Sequence, residues 1–96
     1  MKEETRAHTL MRQLFNRCIG IVPDQDLQEC IYFFDHNELG IALMEIAGSI
    51  VMGKIVVPEN IKSLLLELYE ELMDEDDSHS WREMDLKGKI ESICTG

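Results

Sequence analysis

Seven acids and no base lie between Glu67 and Asp77. Glu67, Glu70, Glu71 and Asp74 stand at i, i+3, i+4 and i+7, so in a helix their carboxylates share one face. Carboxylates grouped in this way can do three kinds of work. One of them can exchange protons, if an apolar pocket tunes its pKa. They can ligate a hard cation, but a calcium loop needs oxygens at alternate positions around a central Gly, and this run does not match that pattern. They can also meet a cationic partner, which needs only exposure. The placement is costly, because like charges at i, i+4 repel and acids in a last turn oppose the helix macrodipole. The run costs roughly 1–3 kcal/mol against a typical stability of about 5–15 kcal/mol. It reads either as a docking surface for a basic protein or as a solvated face that keeps a small chain soluble.

The other reactive residues form no catalytic or metal-binding set. His8, His36 and His79 have no second His or Cys at i+3 or i+4, the usual spacing for a metal. His79, beside Asp76, Asp77 and Ser80, reads as part of a solvated loop. The glycines form no phosphate-cradling loop, and no Ser has a nucleophile context. Cys18, Cys30 and Cys94 are odd in number and widely spaced, which predicts reduced thiols, with Cys18 and Cys30 in apolar helical patterns as core residues. These observations predict no catalytic residues, no cofactor and no metal, hence not an enzyme.

Composition narrows the partner. Ninety-six residues with 19 acids, 9 Lys or Arg and a net charge of −10 make one small acidic domain, residues 1–96. That charge argues against direct binding to nucleic acid or to anionic membrane, both of which require Lys and Arg to meet phosphates. It favours a cationic protein, whose encounter the field would accelerate. The stretch from Met1 to Leu10 has no apolar segment of secretory type, and no run approaches a membrane span, so the expected location is cytoplasmic.

Periodicity supplies the elements that would hold these groups. Ala7, Leu10, Met11, Leu14, Phe15, Cys18 and Ile19 predict a helix over 3–19, closed by Gly20 and Pro23. Leu27, Cys30, Ile31 and Phe34 predict a second helix from Pro23 or Asp24 to His36, with Tyr32 and Phe33 off its stripe and Asn37 as a break or cap. Leu39, Ala42, Leu43, Ile46, Ala47 and Ile50 predict a third over 38–52, where the small residues Ala42, Ala47 and Gly48 would admit a close neighbour and Gly53 a stop. Ile55 to Val57 reads as an extended connector before Pro58. Ile61, Leu64, Leu65, Leu68 and Leu72 predict a fourth helix from Pro58 or Glu59 to about Asp74, with Leu66, Tyr69 and Met73 widening its apolar arc. Ser80 and Glu83 fit a capping box near Trp81, whereas residues 86–91 fit a helix and a strand equally well. The expected fold is an all-α bundle of four main helices with a short C-terminal element.

The segment His36-Asn37-Glu38-Leu39-Gly40-Ile41-Ala42-Leu43-Met44-Glu45 resembles the core motif of small bacterial immunity proteins of the MafI type. The resemblance spans about Leu27 to Trp81 and extends to size, acidic helical character and the Pro-containing connector. It implies neutralisation of a toxin delivered between neighbouring bacteria, as in contact-dependent growth inhibition. It also implies that Glu38, Gly40 and Ala42 are fold determinants rather than toxin contacts.

The expected partner is therefore a cognate toxin C-terminal domain, with a basic nuclease as the expected class. The expected partner-binding set is Glu67, Tyr69, Glu70, Glu71, Asp74, Asp76, Asp77 and Trp81, where Trp81 is either a core lid or an interface anchor. Two alternatives stay open: a small helical regulatory adaptor for a basic protein, and a nucleic-acid mimic of broad specificity. Tyr32, Phe33 and Met44 are further apolar positions for a partner or a second copy.

Overall fold

The computed structural model describes residues 5–75, the last three of these by backbone alone, and residues 85–96. Five helices follow in order: α1 (Arg6–Cys18), α2 (Asp24–Asp35), α3 (Leu39–Met52), α4 (Glu59–Glu75) and α5 (Leu86–Glu91). The bundle is all-α. The most extensive packing joins α2 to α3 and α1 to α4, and α3 touches every other helix. Among the described residues no helix is long and apolar enough to cross a membrane.

Each helix end has a local cause. α1 starts three residues later than its apolar spacing predicts, because Thr5 caps it. The Thr5 hydroxyl accepts from the His8 backbone N–H, and the Thr5 N–H donates to His8 Nδ1 at 3.1 Å. This is a capping box with His in the place usually taken by Glu or Gln. A type II turn then ends α1: Ile21 N–H donates to the Cys18 carbonyl at 2.9 Å, Ile19 is extended, and Gly20 has φ +81°. Only Gly enters that second turn position without strain.

α2 and α3 end alike. After α2, Asn37 N–H bonds the Phe34 carbonyl and Glu38 N–H bonds the Phe33 carbonyl, with Asn37 left-handed at φ 60°. After α3, Lys54 N–H bonds the Val51 carbonyl and Ile55 N–H bonds the Ile50 carbonyl, with Lys54 left-handed at φ 52°. Both are Schellman closures. Asn37 is therefore the break and not the cap of α3, which is the role of Glu38. Gly53, the expected stop, is right-handed, and the left-handed position falls one residue later on a lysine.

The expected core residues of α3 and α4 are all buried: Leu39, Ala42, Leu43, Ile46, Ala47 and Ile50, then Ile61, Leu64, Leu65, Leu68 and Leu72. Cys18 and Cys30 are buried as well. Gly48 departs from expectation. Among the described residues a Cβ there would meet nothing within 4 Å, so this glycine admits no neighbouring helix of the described set. One residue beyond Ala47 turns the chain by about 100°, which carries position 48 from the core to the outer arc. Tyr32 is exposed, whereas Phe33 and Met44 rest half-buried against the core.

The C-terminal segment resolves the ambiguity of residues 86–91 in favour of helix. Leu86 and Ile90, at i and i+4, are buried together with Ile93. Lys62 Nζ donates to the Glu91 and Ile93 carbonyls at 2.8 and 3.0 Å, which places a cation at the end of α5. Beyond it the chain pairs with the connector: Val57 N–H donates to the Cys94 carbonyl, and Gly96 N–H to the Val57 carbonyl. The connector is thus extended, with a single bridge between Val57 and Thr95. The expected short helix near Trp81, with Ser80 and Glu83, lies outside the described residues.

The two turn residues make opposite predictions. Lys54→Gly removes the cost of a left-handed lysine and is expected to raise stability by about 1 kcal/mol, or about 4–8 °C in thermal midpoint. Gly20→Ala is expected to lower it by a similar amount. Thermal unfolding followed by circular dichroism reads both.

Candidate functional site

The acidic face of α4 forms a seam with the start of α1. The apolar stripe of α4 turns inward, so Glu67 and Glu70 point outward and are exposed, while Glu71 is half-buried. Packing of α1 along α4 brings Arg6 to these carboxylates. One guanidinium nitrogen lies 3.1 Å from Glu67 Oε2, and the other lies 3.9 Å from Glu71 Oε2. The expected stripe of uncompensated charge is thus partly neutralised by an arginine 61 residues away in sequence. This pairing offsets part of the like-charge repulsion between Glu67 and Glu71. Glu70 has no ion-pair partner among the described residues and remains the clearest free charge of this face.

The other expected site residues divide in two groups. Tyr69 is half-buried and packs against the core. Asp74 belongs to α4 by its backbone, and its side chain lies outside the described ones. Asp76, Asp77 and Trp81 lie outside the described residues altogether.

A second acidic surface was legible in the sequence through a different signal. From Cys18 to Gly53 the chain has six acids, Asp24, Asp26, Glu29, Asp35, Glu38 and Glu45, and no Lys or Arg. All six map to α2, α3 and the turn between them; Asp26 is half-buried and the rest are exposed. The acids are spread through an apolar sequence, so no dense run marks them, and the long absence of a base is the readable sign. Exposed Tyr32 stands among them, with Glu29 and Asp35 one turn away on either side. Its ring lies against His36 at 4.2 Å between centroids with the planes tilted by 37°, and the His36 Nδ1 lies 2.8 Å from the Tyr32 carbonyl.

Among the described residues no three His, Cys, Asp or Glu are grouped to hold a metal ion. Burial pushes the Cys18 thiol up to about 11. Burial, reinforced by the nearby Glu45 and Asp26 carboxylates, pushes Cys30 up to about 12. Both stay protonated near neutrality and make poor nucleophiles. His8 is committed to structure: with Nδ1 accepting from Thr5, its Nε2 carries the proton and donates to Asn37 Oδ1 at 2.9 Å. What the geometry presents is charge on rigid helices.

No family model, no curated protein and no solved structure matches this chain. The functional reading therefore rests on the surface itself.

The exposed pairing of Arg6 is expected to contribute little. Arg6→Ala should lower the unfolding free energy by less than about 1 kcal/mol. Arg6→Glu should lower it further by adding a like charge, and the difference between the two should shrink in high salt. A loss of several kcal/mol for Arg6→Ala in urea denaturation would mean that Arg6 pins α1 to α4. The thiols set a pH limit. In the unfolded chain both lose their protons near 9, and in the folded protein only near 11 and 12. Their contribution is thus full below pH 9 and is lost as pH rises through that window. Cys18→Ala with Cys30→Ala is expected to lower stability yet flatten its alkaline decline, as read by urea denaturation across pH.

Proposed function

We propose that this chain is an immunity protein, a stoichiometric inhibitor that binds a cognate bacterial toxin domain in the cytoplasm of the producing cell. The observation that carries the reading is the disposition of charge. Nineteen acids face nine Lys or Arg, and no charged side chain among the described residues is buried. The negative charge of the described residues therefore lies at the surface, where it can act on another molecule.

A cationic nuclease domain fits this surface best. A cleft that holds RNA or DNA must present Lys and Arg to the phosphates. An acidic helical protein can cover such a cleft and exclude substrate by charge and bulk, with no reaction of its own. The resemblance of residues 36–45 to the MafI-type motif supports the same class. Charge of this kind acts mainly on encounter, so association carries most of the salt dependence.

Growth assays test the reading. Cells expressing a toxin-like domain encoded immediately upstream are expected to grow only when this chain is co-expressed. Protection should weaken when exposed acids are reversed, as in Glu70→Lys combined with Glu29→Lys, and the variant should keep its helical circular dichroism. In vitro, association is expected to slow by about tenfold or more between ~0.01 and ~0.15 M salt. A toxic neighbour that this chain fails to neutralise would overturn the pairing and favour a regulatory adaptor for another basic protein.

A further inference from the structure

α3 breaks the usual pattern of a surface helix. Only Glu45 among its fourteen residues is charged. Its inner arc fills the core, yet its outer arc is also largely apolar: Ile41, Met44, Gly48 and Met52 follow one another at helical spacing, with Glu45 and Ser49 along one edge. A helix this apolar is ordinarily covered on both sides. Here Ile41 is exposed and Met52 is 87% exposed.

A groove of 530 Å³ runs over this outer arc. Met44, Gly48 and Met52 line it, together with Pro23 and Asp26 from the start of α2 and Lys89 from α5. Gly48 is the informative residue. A mid-helix glycine costs about 0.5–1 kcal/mol relative to alanine. Among the described residues a Cβ at this position meets nothing within 4 Å, so packing between them gives no reason for it. The space left open by the missing side chain belongs to the groove. The two methionines beside it are flexible and polarizable, and adapt their shape to an inserted group.

We propose that this groove anchors an apolar side chain of a cationic helical partner, whose flanking Lys or Arg residues meet the acids of α2 and α3. The charge around it favours a basic occupant. Asp26 and Glu45 outnumber Lys89 among the lining residues, and Ser49 Oγ donates to Asp26 Oδ2 at 2.7 Å, which holds that carboxylate in place. The surrounding tract from Cys18 to Gly53 has six acids and no Lys or Arg. A second copy would bring the same acids and a further net charge of −10, whereas a basic segment would meet opposite charge on an apolar centre. The inference rests on the reading of this chain as a binder of cationic proteins, and names a face other than that of α4.

The test uses the full chain with methyl-labelled methionine and a synthetic amphipathic helical peptide, leucine on one face and arginine elsewhere. In NMR titration the Met44 and Met52 methyl signals are expected to move and to saturate, with weaker binding in high salt and none for the same peptide carrying glutamate. Gly48→Phe fills the groove and is expected to weaken binding by at least about tenfold, equivalent to about 1.4 kcal/mol. The thermal midpoint should stay level or rise. Glu45→Lys, at an exposed position, is expected to weaken binding independently of any repacking around position 48. Three results would overturn the proposal: no methyl shifts up to about 1 mM peptide, binding that both substitutions leave unchanged, or self-association abolished by Gly48→Phe without a peptide response. Peptide binding and growth protection are separate readouts, so a failed toxin pairing leaves this result standing. Failure here likewise leaves inhibition through the α4 face intact.

Discussion

The burial of α3 is the constraint on which the other elements depend. Its six core residues are apolar, and α1, α2, α4 and α5 all pack against it. Each fully buried leucine or isoleucine contributes about 1.5–3 kcal/mol relative to exposure, so a helix of this composition is stable only when covered. No polar or charged side chain among the described residues is buried. The core therefore gains by apolar contact alone and carries no desolvated charge that needs a partner. That cover is incomplete on one side, and the uncovered arc is where the molecule has apolar surface to offer.

Apolar packing is not directional, and the helix ends supply direction. A type II turn stops α1 and Schellman closures stop α2 and α3, and each makes the next helix turn back within a few residues. His8 ties two of these places together. Its ring completes the cap of α1 through Thr5, bonds Asn37 at the turn between α2 and α3, and meets the edge of Phe34 at 5.7 Å. Phe34 in turn packs edge-on against Phe15 at 5.5 Å and lies under the Arg12 guanidinium at 5.4 Å. These contacts orient the α2–α3 pair relative to α1, and with it the acids and the groove that the pair carries.

The scarce bases and the abundant acids do different work. Arg6 lies against Glu67 and Glu71, Arg12 covers Phe34, and Lys62 closes the end of α5. Basic groups spent on contacts within the chain leave the acid excess facing outward. The field of the protein is negative, as its net charge of −10 requires, and the helices hold its charges in a set pattern. Such a surface accelerates encounter with a cation and disfavours another acidic molecule. Affinity then depends on apolar contact at close range, which the outer arc of α3 is placed to provide.

Much of the fold was legible along the chain because it depends on short-range periodicity. The 3.6-residue spacing of Leu, Ile and Ala located four helices and most of their core faces, although Ile19 of the expected first stripe is 65% exposed just beyond α1, and Gly20, Asn37 and Pro58 marked breaks through backbone preferences that act within a residue or two. The charge excess, and so the class of partner it favours, is a property of composition. Tertiary structure decided what depends on residues distant in sequence. It brought Arg6 to Glu67 and Glu71, joined the C-terminal residues to Val57, and made residues 86–91 helical by burying Leu86 and Ile90 against the bundle. It also turned Gly48 from an expected packing contact into open space. Periodicity records which side of a helix is apolar, but not which of two apolar sides finds a neighbour, because that depends on where every other helix has already packed.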